Sequence, residues 1–183
     1  MDLKELRIDK QWTLFLDRDG VINKKLNNDY VKTIEEFEFI EGSEKAIATM
    51  NQLFGRTVVV TNQQGIGKGL MTKDDLKKVH QYMQEQLVPF GGKLDQIYYC
   101  PELAESNSIC RKPNTGMAEE ARRDFPEIDF KKSVMVGDSL SDMQMGKRVG
   151  MITVFVTSEK VKMKEADLQV ASLKELSDLL TAP

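Results

Sequence analysis

Six short runs of apolar and β-branched residues recur along the chain: 12–17 (WTLFLD), 57–61 (TVVVT), 96–100 (QIYYC), 133–138 (SVMVGD), 152–157 (ITVFVT) and a weaker one at 166–171 (ADLQVA). Within them the apolar positions are continuous, not alternating, as in strands buried on both faces of a parallel sheet. The intervening segments have amphipathic helical spacing and predict helices at 43–54, 72–87, 114–125, 141–149 and 172–180. Ser43 followed by acids, and Thr72 with Asp75 three residues on, are helix start signals. Strand alternating with helix predicts an α/β fold, a doubly wound and mostly parallel sheet with right-handed crossovers and helices on both faces. Two stretches, at about 20–41 and 101–113, are long for plain connections. Long ordered loops in a small domain are often lids or binding loops.

Composition narrows the class without changing the fold. A chain of 183 residues with 40% hydrophobic and 30% charged residues suits one soluble domain, residues 1–183. The formal charge of −3 supplies no general field for collecting nucleic acid. No apolar run approaches the roughly 20 residues of a membrane span. The mixed-charge opening MDLKELRIDKQ does not read as a signal peptide, so a cytoplasmic location is expected. With no export signal, Cys100 and Cys110 are expected as free thiols or half of a metal site, in preference to a disulfide. His80 is the sole histidine, which excludes mechanisms needing two; within a helical stretch it reads as a surface or packing residue.

In doubly wound sheets ligands bind beyond the carboxyl ends of the strands, so the residues just after each strand are the site candidates. The first strand ends in Asp17, Arg18, Asp19 and Gly20, and the second in Thr61, Asn62 and Gln63. The third leads through Cys100 to Arg111, Lys112 and Pro113, and the fourth ends in Gly137, Asp138 and Ser139, with Asp142 one turn on. Each of these alone is ordinary turn or cap chemistry. Together, in this order, they converge on one sheet edge. Asp17, Asp138 and a backbone carbonyl are hard oxygen ligands that suit Mg²⁺, an ion that shares its shell with phosphate. Thr61 and Lys112 can hold phosphoryl oxygens, Asp17 can act as nucleophile, and Asp19 can carry a proton to and from the reacting oxygens. The glycine-rich run NQQGIGKG at 62–69 lacks the hydroxyl after its lysine that a nucleotide P-loop needs, and reads instead as a flexible loop lining the site.

These residues resemble the haloacid dehalogenase superfamily of aspartyl-phosphate phosphatases, whose four signature elements stand at Asp17–Gly20, Thr61, Lys112 and Gly137–Asp142. Within it, the segments FLDRDGVIN, DYV, FEFIEG, VVVTNQQGIGKG, IYYCPE, CRKPNTGM and VGDSLSDMQMG look like the D-glycero-D-manno-heptose 1,7-bisphosphate and histidinol-phosphate phosphatases. The resemblance implies a Rossmann-like core with little or no cap, Mg²⁺ dependence and a small sugar phosphate substrate, with heptose 1,7-bisphosphate losing its 7-phosphate favoured. It implies Asp17 as nucleophile and Asp19 as general acid/base. Mg²⁺ falls to Asp17, the Asp19 carbonyl and Asp138, with Asp142 supporting, and the phosphoryl group to Thr61 and Lys112. Substrate contacts fall to Arg18, Asn62, Gln63, Arg111 and Ser139, and to Asn28, Asp29, Tyr30 and Val31 of a loop slightly longer than in the family.

The chain departs from these relatives in one loop, which in them holds structural zinc through three cysteines and a histidine. Here Cys100 and Cys110 match the outer positions, while Glu102 replaces the histidine and Ser108 the other cysteine. Two thiols, a carboxylate and a hydroxyl make a poor zinc set, so no tightly held zinc is expected. Alternative substrates are histidinol phosphate, another sugar or nucleotide phosphate, or a nucleic-acid 3′-phosphate. An alternative of another class is a receiver-type signalling domain, which has no need of an acid at position 19. No nucleic-acid or membrane partner is expected, and a monomer is favoured.

Overall fold

In the computed structural model, which describes residues 6–182, six strands form one sheet: β1 (Thr13–Leu16), β2 (Arg56–Asn62), β3 (Gln96–Cys100), β4 (Ser133–Gly137), β5 (Ile152–Val156) and β6 (Leu168–Val170). The strand order is β3-β2-β1-β4-β5-β6, and every pairing is parallel. Four helices connect strands, α1 (Ser43–Leu53), α2 (Lys73–Leu87), α3 (Gly116–Asp124) and α4 (Leu140–Val149), and a fifth, α5 (Leu173–Thr181), follows β6. The chain winds outward from β1 to β3 and then restarts at β4 on the other side of β1. The carboxyl ends of β1 and β4 therefore face a topological switch point, where crevices open in such sheets.

The strands are largely apolar, and each face of the sheet meets a helical layer. Leu14 and Leu16 of β1, with Val59 of β2, pack against Ile47 and Met50 of α1, Val79 and Met83 of α2 and Leu176 of α5. Phe15 points the other way and joins Val58, Val60 and Met135 against Met117 and Ala121 of α3 and Met145 of α4. Alternate side chains of a strand face opposite ways, so one apolar run feeds two cores. No cap domain stands apart from the sheet among the described residues. Among the described residues no helix is long and apolar enough to cross a membrane.

The expected start of α2 is present as a capping box: Asp75 N–H donates to Thr72 Oγ1 at 3.1 Å, and Thr72 N–H to Asp75 Oδ2 at 2.9 Å. The expected cap of α1 is corrected. Gly42 is the N-cap in a left-handed conformation (φ +82°), and Ser43 lies inside the helix with its buried Oγ unpartnered among the described residues. A second correction concerns the cysteines. Cys100 and Cys110 form a disulfide, with Cα atoms 5.4 Å apart. A spacing of ten residues says nothing of the loop's path, and here the segment after β3 folds back so that Cys110 lies beside the strand end.

Candidate active site

β1 delivers Asp17 into the switch point while its backbone still follows the ladder, its N–H donating to Val136 O at 2.9 Å. Asp17 Oδ1 accepts from Arg18 N–H at 2.8 Å and lies 2.8 Å from Lys112 Nζ. Among the described residues no donor reaches Oδ2, which leaves that oxygen to the pocket. Lys112 is buried, lies 2.6 Å from Asp142 Oδ1 and donates to Val60 O at 2.8 Å. Burial alone would lower its pKa, but the carboxylates of Asp142 and Asp17 outweigh it and hold the ammonium well above its ordinary value. Asn62 aligns this lysine: its Oδ1 accepts from the Lys112 N–H at 3.0 Å and its Nδ2 donates to the Lys112 carbonyl at 3.2 Å.

The acids crowd together. Asp17, Asp138 and Asp142 each offer a carboxylate oxygen within 4.8 Å of the others. Burial, then the Asp142 charge, pushes Asp17 up to about 6 against the pull of Lys112. Burial and the Asp17 charge raise Asp138 as well. Asp138 Oδ1 is buried without a partner among the described residues. Two glycines make room for the cluster. A Cβ on Gly20 (φ +86°) would lie 2.2 Å from Asp138 Oδ2, and one on Gly137 would lie 2.2 Å from Asp142 Cβ. An unpartnered carboxylate oxygen, three converging hard donors and a glycine-cleared cradle fit a divalent cation such as Mg²⁺. Asp142 also closes a capping box with Ser139 at the start of α4, which fixes its carboxylate.

Asp19 is held differently. Arg18 Nη2 donates to both of its oxygens at 2.9 Å, Asn23 Nδ2 to Oδ1 at 2.9 Å and Gln63 Nε2 to Oδ2 at 2.8 Å. Burial opposes ionisation, but the Arg18 charge and these hydrogen bonds prevail and lower its pKa. Arg18 itself is fully buried, with Nη1 3.1 Å from His80 Nε2. Burial and the Arg18 charge push His80 down to about 3, so its imidazole is neutral and Nε2 accepts from Arg18. Because the folded-state value lies below the unfolded one, protons favour the unfolded chain as pH falls from 6.5 towards 3. We therefore expect His80→Gln to reduce the loss of unfolding free energy between pH 7 and pH 5 by about 2 kcal/mol, measured by urea denaturation at each pH.

Around these groups lies a cavity of about 250 Å³ lined by Asp17, Asp19, Thr61, Asn62, Lys112, Asp138 and Ser139, all expected from sequence, with Arg111, Asp29, Tyr30 and Val31. Three expectations are corrected. Arg18 and Gln63 do not line the cavity; they lie buried behind Asp19 and align it, and Gln63 Nε2 also donates to Thr61 Oγ1 at 3.0 Å. Asn28 is the turn residue of its loop, with φ +55°, and stays outside the wall. Sequence reasoning missed Lys25, Leu26, Gln64 and Ser141, which complete the lining. For Gln64 a signal existed in its proximity to the strand end; it donates to Tyr30 Oη at 2.8 Å, tying the glycine-rich loop to the long insertion. That loop is a series of tight turns joined by backbone bonds such as Leu70 N–H to Gly65 O at 2.9 Å.

Residues 109–179 match the family described as HAD-hydrolase-like. The D-glycero-alpha-D-manno-heptose-1,7-bisphosphate 7-phosphatase of Mycobacterium bovis is 40% identical over 143 residues, 78% of this chain and 75% of that protein. The protein of the same name from Campylobacter jejuni is 37% identical over 167 residues, covering 91% of this chain and 94% of its own. The chain belongs to the haloacid-dehalogenase-like phosphatases. A D,D-heptose 1,7-bisphosphate phosphatase from B. bronchiseptica, crystallised with magnesium and phosphate, superimposes with a TM-score of 0.84 at 30% identity, covering 92% of this chain and 97% of that one. The receiver-type alternative falls with these matches: the chain is a phosphoric monoester hydrolase. In this phosphatase Cys100, Ser108 and Cys110 are engaged with one another, and Glu102 with Arg111. The two thiols are joined as a disulfide, Ser108 Oγ lies 3.3 Å from Cys110 Sγ, and the Glu102 carbonyl accepts from Arg111 Nη1 at 3.2 Å.

Proposed function

We propose that this phosphatase removes the 7-phosphate of D-glycero-D-manno-heptose 1,7-bisphosphate through a phospho-aspartate on Asp17. The observation that carries the reading is the buried Asp17–Lys112–Asp142 arrangement, in which Asp17 and Lys112 line the cavity and Asp17 Oδ2 meets no donor among the described residues. Asp17, Asp138 and the Asp19 carbonyl would hold Mg²⁺, with Asp142 supporting. When bound, the ion neutralises charge on the phosphoryl oxygens and relieves the repulsion among the carboxylates. Oδ2 of Asp17 attacks phosphorus as the bond to the sugar oxygen breaks, and Asp19 delivers the proton that the departing oxygen takes. Asp19 then accepts a proton from water, whose oxygen attacks phosphorus and frees Asp17 with release of phosphate. A phosphoryl group entering beside Asp19 favours its protonated form, against the donors that lower its pKa in the free enzyme. Lys112 and Thr61 steady the phosphoryl oxygens through both steps.

The rest of the cavity suits a polyhydroxylated, doubly anionic substrate. Arg111 and Lys25 supply positive charge, and Asp29, Tyr30, Asn62, Gln64 and Ser141 supply hydrogen-bonding groups. The names of the relatives support the heptose bisphosphate among sugars of this kind. The same reading treats residues 1–183 as a single, monomeric, cytoplasmic domain with insertions at about 20–41 and 101–113, free of nucleic-acid and membrane partners. A phosphate-release screen with Mg²⁺ tests it. The panel comprises both anomers of heptose 1,7-bisphosphate, histidinol phosphate, other sugar phosphates, nucleotides and a 3′-phosphorylated oligonucleotide. The highest kcat/KM is expected for a heptose bisphosphate, with one phosphate released per molecule. A higher kcat/KM on any other member of the panel would overturn the substrate.

A further inference from the structure

Two lysines, not one, balance the acid cluster. Lys112 takes Asp17 and Asp142 from inside the fold. Lys25 takes Asp138 from outside, its Nζ 2.8 Å from Oδ2, the oxygen for which Gly20 clears space. The two lysines differ in freedom. The Lys112 side chain is 2% exposed and anchored by three acceptors, whereas that of Lys25 is 57% exposed and has the carboxylate of Asp138 as its described partner. The backbone beside Lys25 is tethered: Asn23 bridges to Phe39, and Lys24 N–H donates to Glu38 O at 2.8 Å. The flexible stem of Lys25 can move while its root stays at the rim of the cavity it lines. Lys24 faces the other way and pairs with Glu38.

We propose that Lys25 is a resident counter-cation of the metal cradle, displaced from Asp138 by the divalent ion and then free to hold an anionic oxygen of the bound substrate. The inference rests on the phosphatase reading and adds to it a residue whose partner changes with metal occupancy. The Lys25 ammonium on Oδ2 and a divalent ion drawn to the Asp17–Asp138–Asp142 cluster repel each other at close range, so the measured metal affinity is weakened for as long as Lys25 stays paired. The same charge, once released, favours an anionic ligand in the cavity. Removing it should therefore strengthen one binding event and weaken the other, a pair of opposite effects that loss of a merely structural contact does not produce.

The experiment titrates Mg²⁺ alone into substrate-free protein by calorimetry for wild type, Lys25→Met, Lys25→Arg and Lys24→Met, and then measures KM and kcat at saturating Mg²⁺ on the best substrate of the screen. Lys25→Met is expected to bind Mg²⁺ two- to fivefold more tightly and to raise KM severalfold with little change in kcat. Lys25→Arg and Lys24→Met should stay within twofold of wild type in Mg²⁺ affinity. Unchanged or weaker Mg²⁺ binding by Lys25→Met overturns the proposal, as does equal tightening in Lys24→Met, which would make the effect one of overall charge. An unchanged KM overturns the substrate half. If neither wild type nor Lys25→Met binds Mg²⁺, both this proposal and the metal-dependent reading fail; turnover with altered affinities as described supports both.

Discussion

Asp17→Asn is expected to abolish phosphate release, lowering kcat by at least about four orders of magnitude. The amide has the volume of the carboxylate but not its negative charge, and the uncharged oxygen it keeps is too weak a nucleophile to attack phosphorus. The structure also separates this effect from unfolding. Asp17 sits where burial and the Asp142 charge oppose its ionisation, so a neutral side chain of the same shape relieves crowding in the free protein. The variant should therefore melt within a few degrees of wild type while releasing no phosphate. Phosphate-release kinetics beside a thermal melt check both halves, and a wild-type rate from Asp17→Asn would falsify the mechanism.

Lys112→Met is expected to damage stability and turnover together. Methionine approximates the length of lysine but leaves Asp17 and Asp142 facing each other without the ammonium between them, and Val60 O without its donor. Removing one partner of a buried ionic arrangement costs about 3–5 kcal/mol. Protonation of Asp17, already raised to about 6, moderates that cost. Turnover should fall about 10²- to 10³-fold through loss of a charge aimed at the phosphoryl oxygens. Because a divalent cation neutralises the same acids, Mg²⁺ should restore part of the lost stability, more in the variant than in wild type. Denaturant unfolding with and without Mg²⁺ measures this. An unfolding free energy unchanged from wild type would show that Lys112 does not balance the cluster.

The difference between these two variants reflects how the site is layered. Asp17 and Asp138 face the cavity, whereas Lys112 and Asp142 form a floor that belongs as much to the core as to the chemistry. A third layer, Arg18, Gln63 and Asn23, surrounds Asp19 from behind, and His80 of α2 supports Arg18 in turn. The layers draw on the ends of β1, β2 and β4 and on α2 and α4, so the geometry of Asp17 and Asp19 depends on how these elements pack together.

Legibility in the chain depended on range. The six strands and five helices were readable because apolar periodicity and caps are local properties, and the observed elements agree with the expected spans to within two residues at every end. Where a cap depended on backbone conformation and not residue type, as at Gly42 and Ser43, the expectation failed. Asp17, Thr61 and Asp138 were legible because each ends or directly follows a strand, and Lys112 because it stands in the loop that leaves β3; parallel strands deliver their carboxyl ends to one edge. Alternation along an extended segment turns Arg18 away from Asp17 and Asp19, but its burial against His80 and the orientation of Gln63 were not legible. Whether a side chain beside a catalytic acid faces the cavity or the core depends on what lies behind the strand, here His80 from a helix 62 residues further on. The pairing of Cys100 with Cys110 likewise depended on the path of a loop, and the contact of Lys25 with Asp138 spans 113 residues. Local pattern and strand order determined the fold and brought the acids to one edge. Only tertiary structure decided which polar groups face the substrate, which lie behind them, and which cation sits on each carboxylate, because those choices are made by contacts between elements far apart in the chain.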